Sequence, residues 1–257
     1  SCAYSEGHVY NINAHGRIAC FEAATGKEVW AKNALKEFEG QNIMWAISEC
    51  ALIDGPHVIV TPGGNKSFMV ALDKKTGALV WVGEPLPEAP AERVGYASPI
   101  LFELNGRRLI ATLSLRSVVC VDAENGKVQC VFQHPTRYNA NCATPVYCEG
   151  AVFHTNPTGA GGVLLKVLAD KESVKFEKLW DCGMDNISGG AIAHAGLIYG
   201  SGQQNTGWVC MDAKSGAVKW DSKELAQGAL TYADNRLYWL SESGTLALAG
   251  ATADQFK

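Results

Sequence analysis

The stretch Ala71–Trp81, "ALDKKTGALVW", decides the fold. A small apolar start leads to Asp73, a polar turn ends on Gly77, and an alternating run then carries Trp81. The pattern returns as "CFEAATGKEVW" (20–30), "CVDAENGKVQC" (120–130) and "CMDAKSGAVKW" (210–220), aligned on Gly26, Gly77, Gly126 and Gly216. A degenerate copy with extra turn residues, "LADKESVKFEKLW" (168–180), ends on Trp180. A sixth, "LALAGATADQFK" (246–257), stops as its last strand should begin.

A second signal precedes each copy. Turn pairs stand at Glu6-Gly7, Asp54-Gly55, Asn105-Gly106, Glu149-Gly150, Ala195-Gly196 and Asp234-Asn235, each followed by an alternating apolar run. Each unit thus reads as four short strands. A repeat of roughly 40 to 50 residues built from four strands selects a β-propeller, whose blades are four-stranded sheets. The expected fold is all-β, with four-stranded antiparallel blades, six of them recognisable. No long helical period competes, and "NALKEFEG" (33–40) is at most a turn or two.

The chemistry of the tight turn follows. Its acidic residue can accept bonds from backbone N–H groups further along the turn, and glycine takes the left-handed conformation there. A three-residue loop sets Ala71 opposite Trp81, Cys20 opposite Trp30, Cys210 opposite Trp220 and Cys120 opposite Cys130. A small residue beside each indole leaves room for the ring to lie against the neighbouring sheet. Trp30, Trp81, Trp180 and Trp220 are therefore read as structural clasps between blades.

The chain has 257 residues, 47% hydrophobic and 19% charged, with a net charge of −4. Without clustered Lys or Arg, a nucleic-acid partner is not expected. No apolar run is long enough to span a bilayer as a helix. Nine cysteines is an odd number, so they cannot all pair within one chain. No C-x-x-C occurs. Cys20, Cys120 and Cys210 take the place of Ala71 in the repeat and read as small core residues. Cys130 replaces the tryptophan and faces Cys120, a register that allows a cross-strand disulfide if the Cα atoms lie within about 7 Å. The histidines show no metal-binding spacing. "NPTGAGG" (156–162) lacks the lysine of a phosphate loop and reads as an inter-strand loop.

The pattern A-x-D-x-x-T-G-x-x-x-W, complete in Ala71, Asp73, Thr76, Gly77 and Trp81, resembles the tryptophan-docking motif of the pyrroloquinoline-quinone-like propeller repeat family. That family includes quinoprotein alcohol dehydrogenases and BamB-like assembly proteins. "YSEGHVYNINAHGRIACFEAATGKEVW" and "VIVTPGGNKSFMVALDKKTGALVW" resemble especially the BamB-like branch of environmental bacteria such as planctomycetes and relatives. The resemblance implies eight blades in the closed ring, with this chain as one propeller domain forming part of it. The first unit reads as beginning at its second strand and the sixth as ending before its fourth. It also implies an exported, periplasmic location and a non-catalytic scaffold that binds protein.

Quinoprotein dehydrogenases, by the same resemblance, hold quinone with adjacent bonded cysteines and calcium with carboxylates. No Cys-Cys pair occurs, and Asp73, Asp122 and Asp212 are already explained as turn residues. No cofactor is expected; pyrroloquinoline quinone with calcium is the alternative. Binding candidates are polar and aromatic residues leading into the innermost strands, at the channel mouth. They are Trp45, Ser48, Glu49, Tyr96, Ser98, Asn139, Asn141 and Ser188. The expected partner is a protein or small ligand at that propeller face, a carbohydrate stacking on Trp45 and Tyr96 being a further reading. A monomer is expected.

Overall fold

The computed structural model describes residues 2–86, 94–187, 189–204 and 206–254. The chain divides into two compact units, Ser1–Gln133 with Ala169–Ser173, and His134–Leu168 with Val174–Lys257. Among the described residues each unit holds three antiparallel sheets, and every sheet is an up-and-down meander.

In the first unit the first sheet is β1 (Cys2–Ser5), β2 (His8–Ile12), β3 (Arg17–Glu22) and β4 (Glu28–Asn33). One helical turn, α1 (Ala34–Glu37), follows, capped by the Asn33 side chain accepting from Lys36 N–H. The second sheet is β5 (Leu52–Asp54), β6 (His57–Val60), β7 (Val70–Asp73) and β8 (Leu79–Val82). The third is β9 (Ile100–Leu104), β10 (Arg107–Leu113), β11 (Ser117–Asp122) and β12 (Val128–Gln133).

The second unit begins with β13 (Val146–Cys148), β14 (Ala151–Asn156), β15 (Gly161–Ala169) and β16 (Val174–Cys182). Its second sheet is β17 (Ala191–His194), β18 (Leu197–Ser201), β19 (Trp208–Asp212) and β20 (Val218–Ser222). The last has three strands, β21 (Gly228–Ala233), β22 (Arg236–Ser241) and β23 (Leu246–Gly250). These are blade-type sheets in the number read from the repeat.

One reading is corrected. The first sheet has four strands, because Cys2–Ser5 pairs with β2 from Cys2↔Asn11 to Ser5↔His8. Four residues with one aromatic carry little strand signal alone, and the pairing supplies it. The Glu6-Gly7 pair that joins these strands has both φ angles positive, as do Asn105-Gly106 and Asp234-Asn235. That is the conformation a two-residue hairpin of this twist requires.

The tight turn closes as its chemistry demands, but with one more loop residue than expected. Gly77 N–H donates to Asp73 O at 2.8 Å and Asp73 N–H to Ala78 O at 2.7 Å, so residues 74–77 form the loop. The Asp73 carboxylate accepts from Lys75 N–H, Thr76 N–H and the Thr76 hydroxyl, bonds that hold it below its ordinary value. A bulge at Val80, between the loop and Trp81, absorbs the extra residue, since Ala71 pairs with Trp81 and Leu72 with Leu79. The same shift follows Cys20↔Trp30, Cys120↔Cys130 and Cys210↔Trp220. The facing pairs are those expected, reached by a four-residue loop plus a bulge.

The core lies between successive sheets of each unit. Ile59 and Ala71 of the second sheet pack with Ile110, Val119 and Val121 of the third. Phe153 and Leu164 pack with Ile198, Val209 and Met211, and Trp208 with Leu237 and Trp239. The run "SVVCV" in β11 is buried throughout. The repeat's tryptophans reach the next sheet of their own unit. Trp30 Nε1 donates to Lys74 O at 3.0 Å and Trp180 Nε1 to Ala213 O at 3.0 Å. Their rings cover Gly77 and Gly216, where an added Cβ would sit 2.8 Å from the indole in each case. Trp81 covers Gly126 more closely still, at 2.5 Å. Trp220 Nε1 donates to Thr252 O at 3.2 Å.

Candidate functional site

Five of the sequence candidates belong to two loops of the first unit. The loop ahead of β5 is pinned at its start by Asn42, whose amide donates to Ala14 O at 2.8 Å and whose oxygen accepts from Ile43 N–H. Ile43 and Ile47 are buried anchors. Between them Ala46 N–H closes a turn on Ile43 O, with Ala46 itself left-handed at φ 64. Two large apolar side chains are thereby held outward, Met44 84% and Trp45 58% exposed.

The loop ahead of β9 supports them. The Tyr96 ring backs Trp45 at a centroid distance of 5.8 Å. Ser48 Oγ donates to Tyr96 O at 2.9 Å, and Ser98 Oγ accepts from Cys50 N–H at 2.9 Å. Trp45, Ser48, Tyr96 and Ser98 are thus brought together, the serines as fasteners and the aromatics as a ledge. Met44, part of the same surface, was not among the sequence candidates. Its only signal is its position beside Trp45 in a stretch that fits no strand of the repeat.

Glu49 turns the other way. It is 0% exposed, and one carboxylate oxygen accepts from Thr61 N–H at 2.9 Å while the other has no partner among the described residues. Burial pushes its carboxyl up to about 7, against the opposing pull of Thr61. It cannot meet a ligand at the surface in this arrangement.

The remaining candidates belong to the second unit. Asn139 is exposed and left-handed, φ 51, in a turn on Thr136. Asn141 is wholly buried, with neither amide atom partnered among the described residues. Ser188 lies outside the described residues. Sequence reasoning passed over Asp185 and Asn156, whose side chains tie this unit's loops together. Asp185 accepts from Gly159, Gln203 and Gln204 N–H groups. His154 Nε2 meets Asn156 Oδ1 at 2.6 Å, and Asn156 Nδ2 donates to His134 O at 2.6 Å. Because Asn156 donates there, its oxygen faces His154, which must carry its proton on Nε2. Burial brings His154 down to about 3, so the ring stays neutral. Asp185 precedes a strand in "CGMDN", and His154 and Asn156 end one in "FHTN".

Among the described residues no group of three or more His, Cys, Asp or Glu side chains could hold a metal ion. No helix among them is long and apolar enough to cross a membrane.

A family model described as "Outer membrane protein assembly factor BamB" matches residues 1–222. The chain belongs to that family. BamB from Moraxella catarrhalis is similar at 16% identity and a TM-score of 0.61, over 94% of this chain and 81% of that one. The computationally designed Ika8 protein is similar at 12% identity and a TM-score of 0.65, over 99% of this chain and 71% of that one. Quinohemoprotein alcohol dehydrogenase from Comamonas testosteroni aligns at 18% identity and a TM-score of 0.57, over 97% of this chain and 58% of its own. At these identities the likeness concerns the propeller fold, which assembly factor and dehydrogenase share. No curated protein sequence matches the chain.

Proposed function

We propose that this BamB-like chain is a non-catalytic, exported scaffold that binds a protein partner through the Met44–Trp45 ledge. The observation that carries the reading is the pair of exposed apolar side chains on a loop fastened at both ends. A rigid aromatic anchor loses little entropy on binding and is the residue type that dominates interface energetics. The family's description as an assembly factor for the outer membrane points to a component of that machinery as the partner. Carboxylate chemistry supports a binding role over quinone and calcium. Calcium needs several oxygen ligands turned toward it, whereas Glu49 is buried on Thr61 and Asp185 is engaged by three backbone N–H groups.

A photoreactive phenylalanine analogue at Met44, introduced into cell-envelope preparations, tests the reading. One discrete protein adduct is expected, reduced at least tenfold by adding Trp45→Ala. That substitution should shift stability by less than about 0.5 kcal/mol, as for an exposed side chain. Equal labelling with and without Trp45, or adducts only with glycan, would refute protein binding at this ledge.

A further inference from the structure

Three sheets place a tryptophan opposite the small residue of the third strand: Trp30 faces Cys20, Trp81 faces Ala71 and Trp220 faces Cys210. The third sheet alone among these puts a cysteine there, so Cys130 of β12 stands directly opposite Cys120 of β11. Directly opposed residues of an antiparallel pair have Cα atoms about 4.5–5.5 Å apart. A disulfide needs roughly 4.4–6.8 Å, so backbone spacing permits the bond without moving either strand. Both residues are free thiols in this structure.

The two sulfurs differ in access. Cys120 is wholly buried, whereas Cys130, on the edge strand of its sheet, is half-buried. We propose that Cys120 and Cys130 form a reversible dithiol–disulfide site, oxidised by a disulfide reagent that enters through Cys130. The Cys130 thiolate attacks one sulfur of the reagent, making a mixed disulfide and releasing one thiol. Cys120 then gives up its proton and attacks Cys130 Sγ, expelling the second thiol. Two protein thiols are oxidised and one reagent disulfide is reduced to two thiols. A hydrogen bond with Cys130, reinforced by burial, holds the Cys120 thiol well above its ordinary value. That fits Cys120 as the second, resolving thiol and not as the point of entry.

The bond would tie β12 to β11 beside the bulge at Gln129, fastening the edge strand of the sheet. Cys20 and Cys210 have no such option, since each faces an indole.

The test treats the folded protein with oxidised glutathione, blocks remaining thiols and digests with trypsin. Cleavage after Arg116, Lys127 and Arg137 leaves Cys120 and Cys130 on separate peptides, 117–127 and 128–137. The expected result is one linked pair of these peptides, with a loss of two hydrogen atoms, reversed by dithiothreitol. Cys130→Ser should abolish the link and leave Cys120 unmodified. Unlinked peptides, a stable glutathione adduct on Cys130, or a link from Cys120 to another cysteine would each overturn the proposal.

Discussion

Trp81→Ala is expected to destabilise the protein by about 3 kcal/mol, the lower end of the range for removing a large core aromatic. The ring packs among Ile59, Phe68, Met69, Ile110, Val119 and Val121 while keeping part of its surface in solvent. Its seat is prepared on both sides. Ala71, directly opposite, is too small to push the indole away from the sheet, and Gly126 of the next turn offers a bare Cα face. Trp81 Nε1 has no partner among the described residues, whereas Trp30 Nε1 donates to Lys74 O. The Trp81 loss should therefore be packing alone, and Trp81→Phe should recover more of it than Trp30→Phe does. Urea unfolding of these three variants and of Trp30→Ala checks both statements, and an unchanged midpoint for Trp81→Ala would contradict them.

The second large effect is pH-dependent. Glu49 has a folded-state value of about 7, raised by burial from the ordinary 4.5. Its neutral form therefore favours the folded state. That contribution is complete below the unfolded value, fades between the two values, and is absent above about 7. A shift of this size corresponds to about 3 kcal/mol between the ends of the window. Glu49→Gln keeps an acceptor for Thr61 N–H and cannot ionise. It should match the parent near pH 4 and exceed it by up to about 3 kcal/mol at pH 8. Denaturant unfolding at the two pH values decides; the same difference at both would mean that Glu49 does not titrate in this window.

The sheets and their facing pairs were legible because the repeat writes them several times over. Asp73, Thr76, Gly77 and Trp81 each have a turn or packing reason, and the copies agree. The path through the turn was not legible. A three-residue loop and a four-residue loop followed by a bulge both put Cys120 opposite Cys130, so the pattern cannot tell them apart. Cys2–Ser5 was missed for a different reason: its strand character comes from pairing with β2, not from its own residues.

The candidate site was half legible. Trp45 and Tyr96 were named from their residue type, and they meet. Glu49 and Ser48 are neighbours in sequence, yet one turns inward to Thr61 and the other sideways to Tyr96 O. Away from the repeat's period, no spacing says which way a side chain turns. Met44 was invisible because a lone methionine usually fills a core, and only its exposure marks it as surface.

The packing role of the repeat rests on Trp30, Trp81 and Trp180 each being seated on the next turn's glycine, Gly77, Gly126 and Gly216. A double-mutant cycle between Trp81→Ala and Gly126→Ala tests it most directly. Alanine at 126 must take φ +75 and place a Cβ 2.5 Å from the Trp81 ring. Alone it should cost at least about 2 kcal/mol, combining the left-handed strain with the clash. With Trp81 already removed, the left-handed strain and the 2.7 Å approach to the Gly83 Cα should remain while the ring's share is lost, giving a coupling of about 1 kcal/mol or more. Strictly additive losses would contradict the seating of the indole on that glycine.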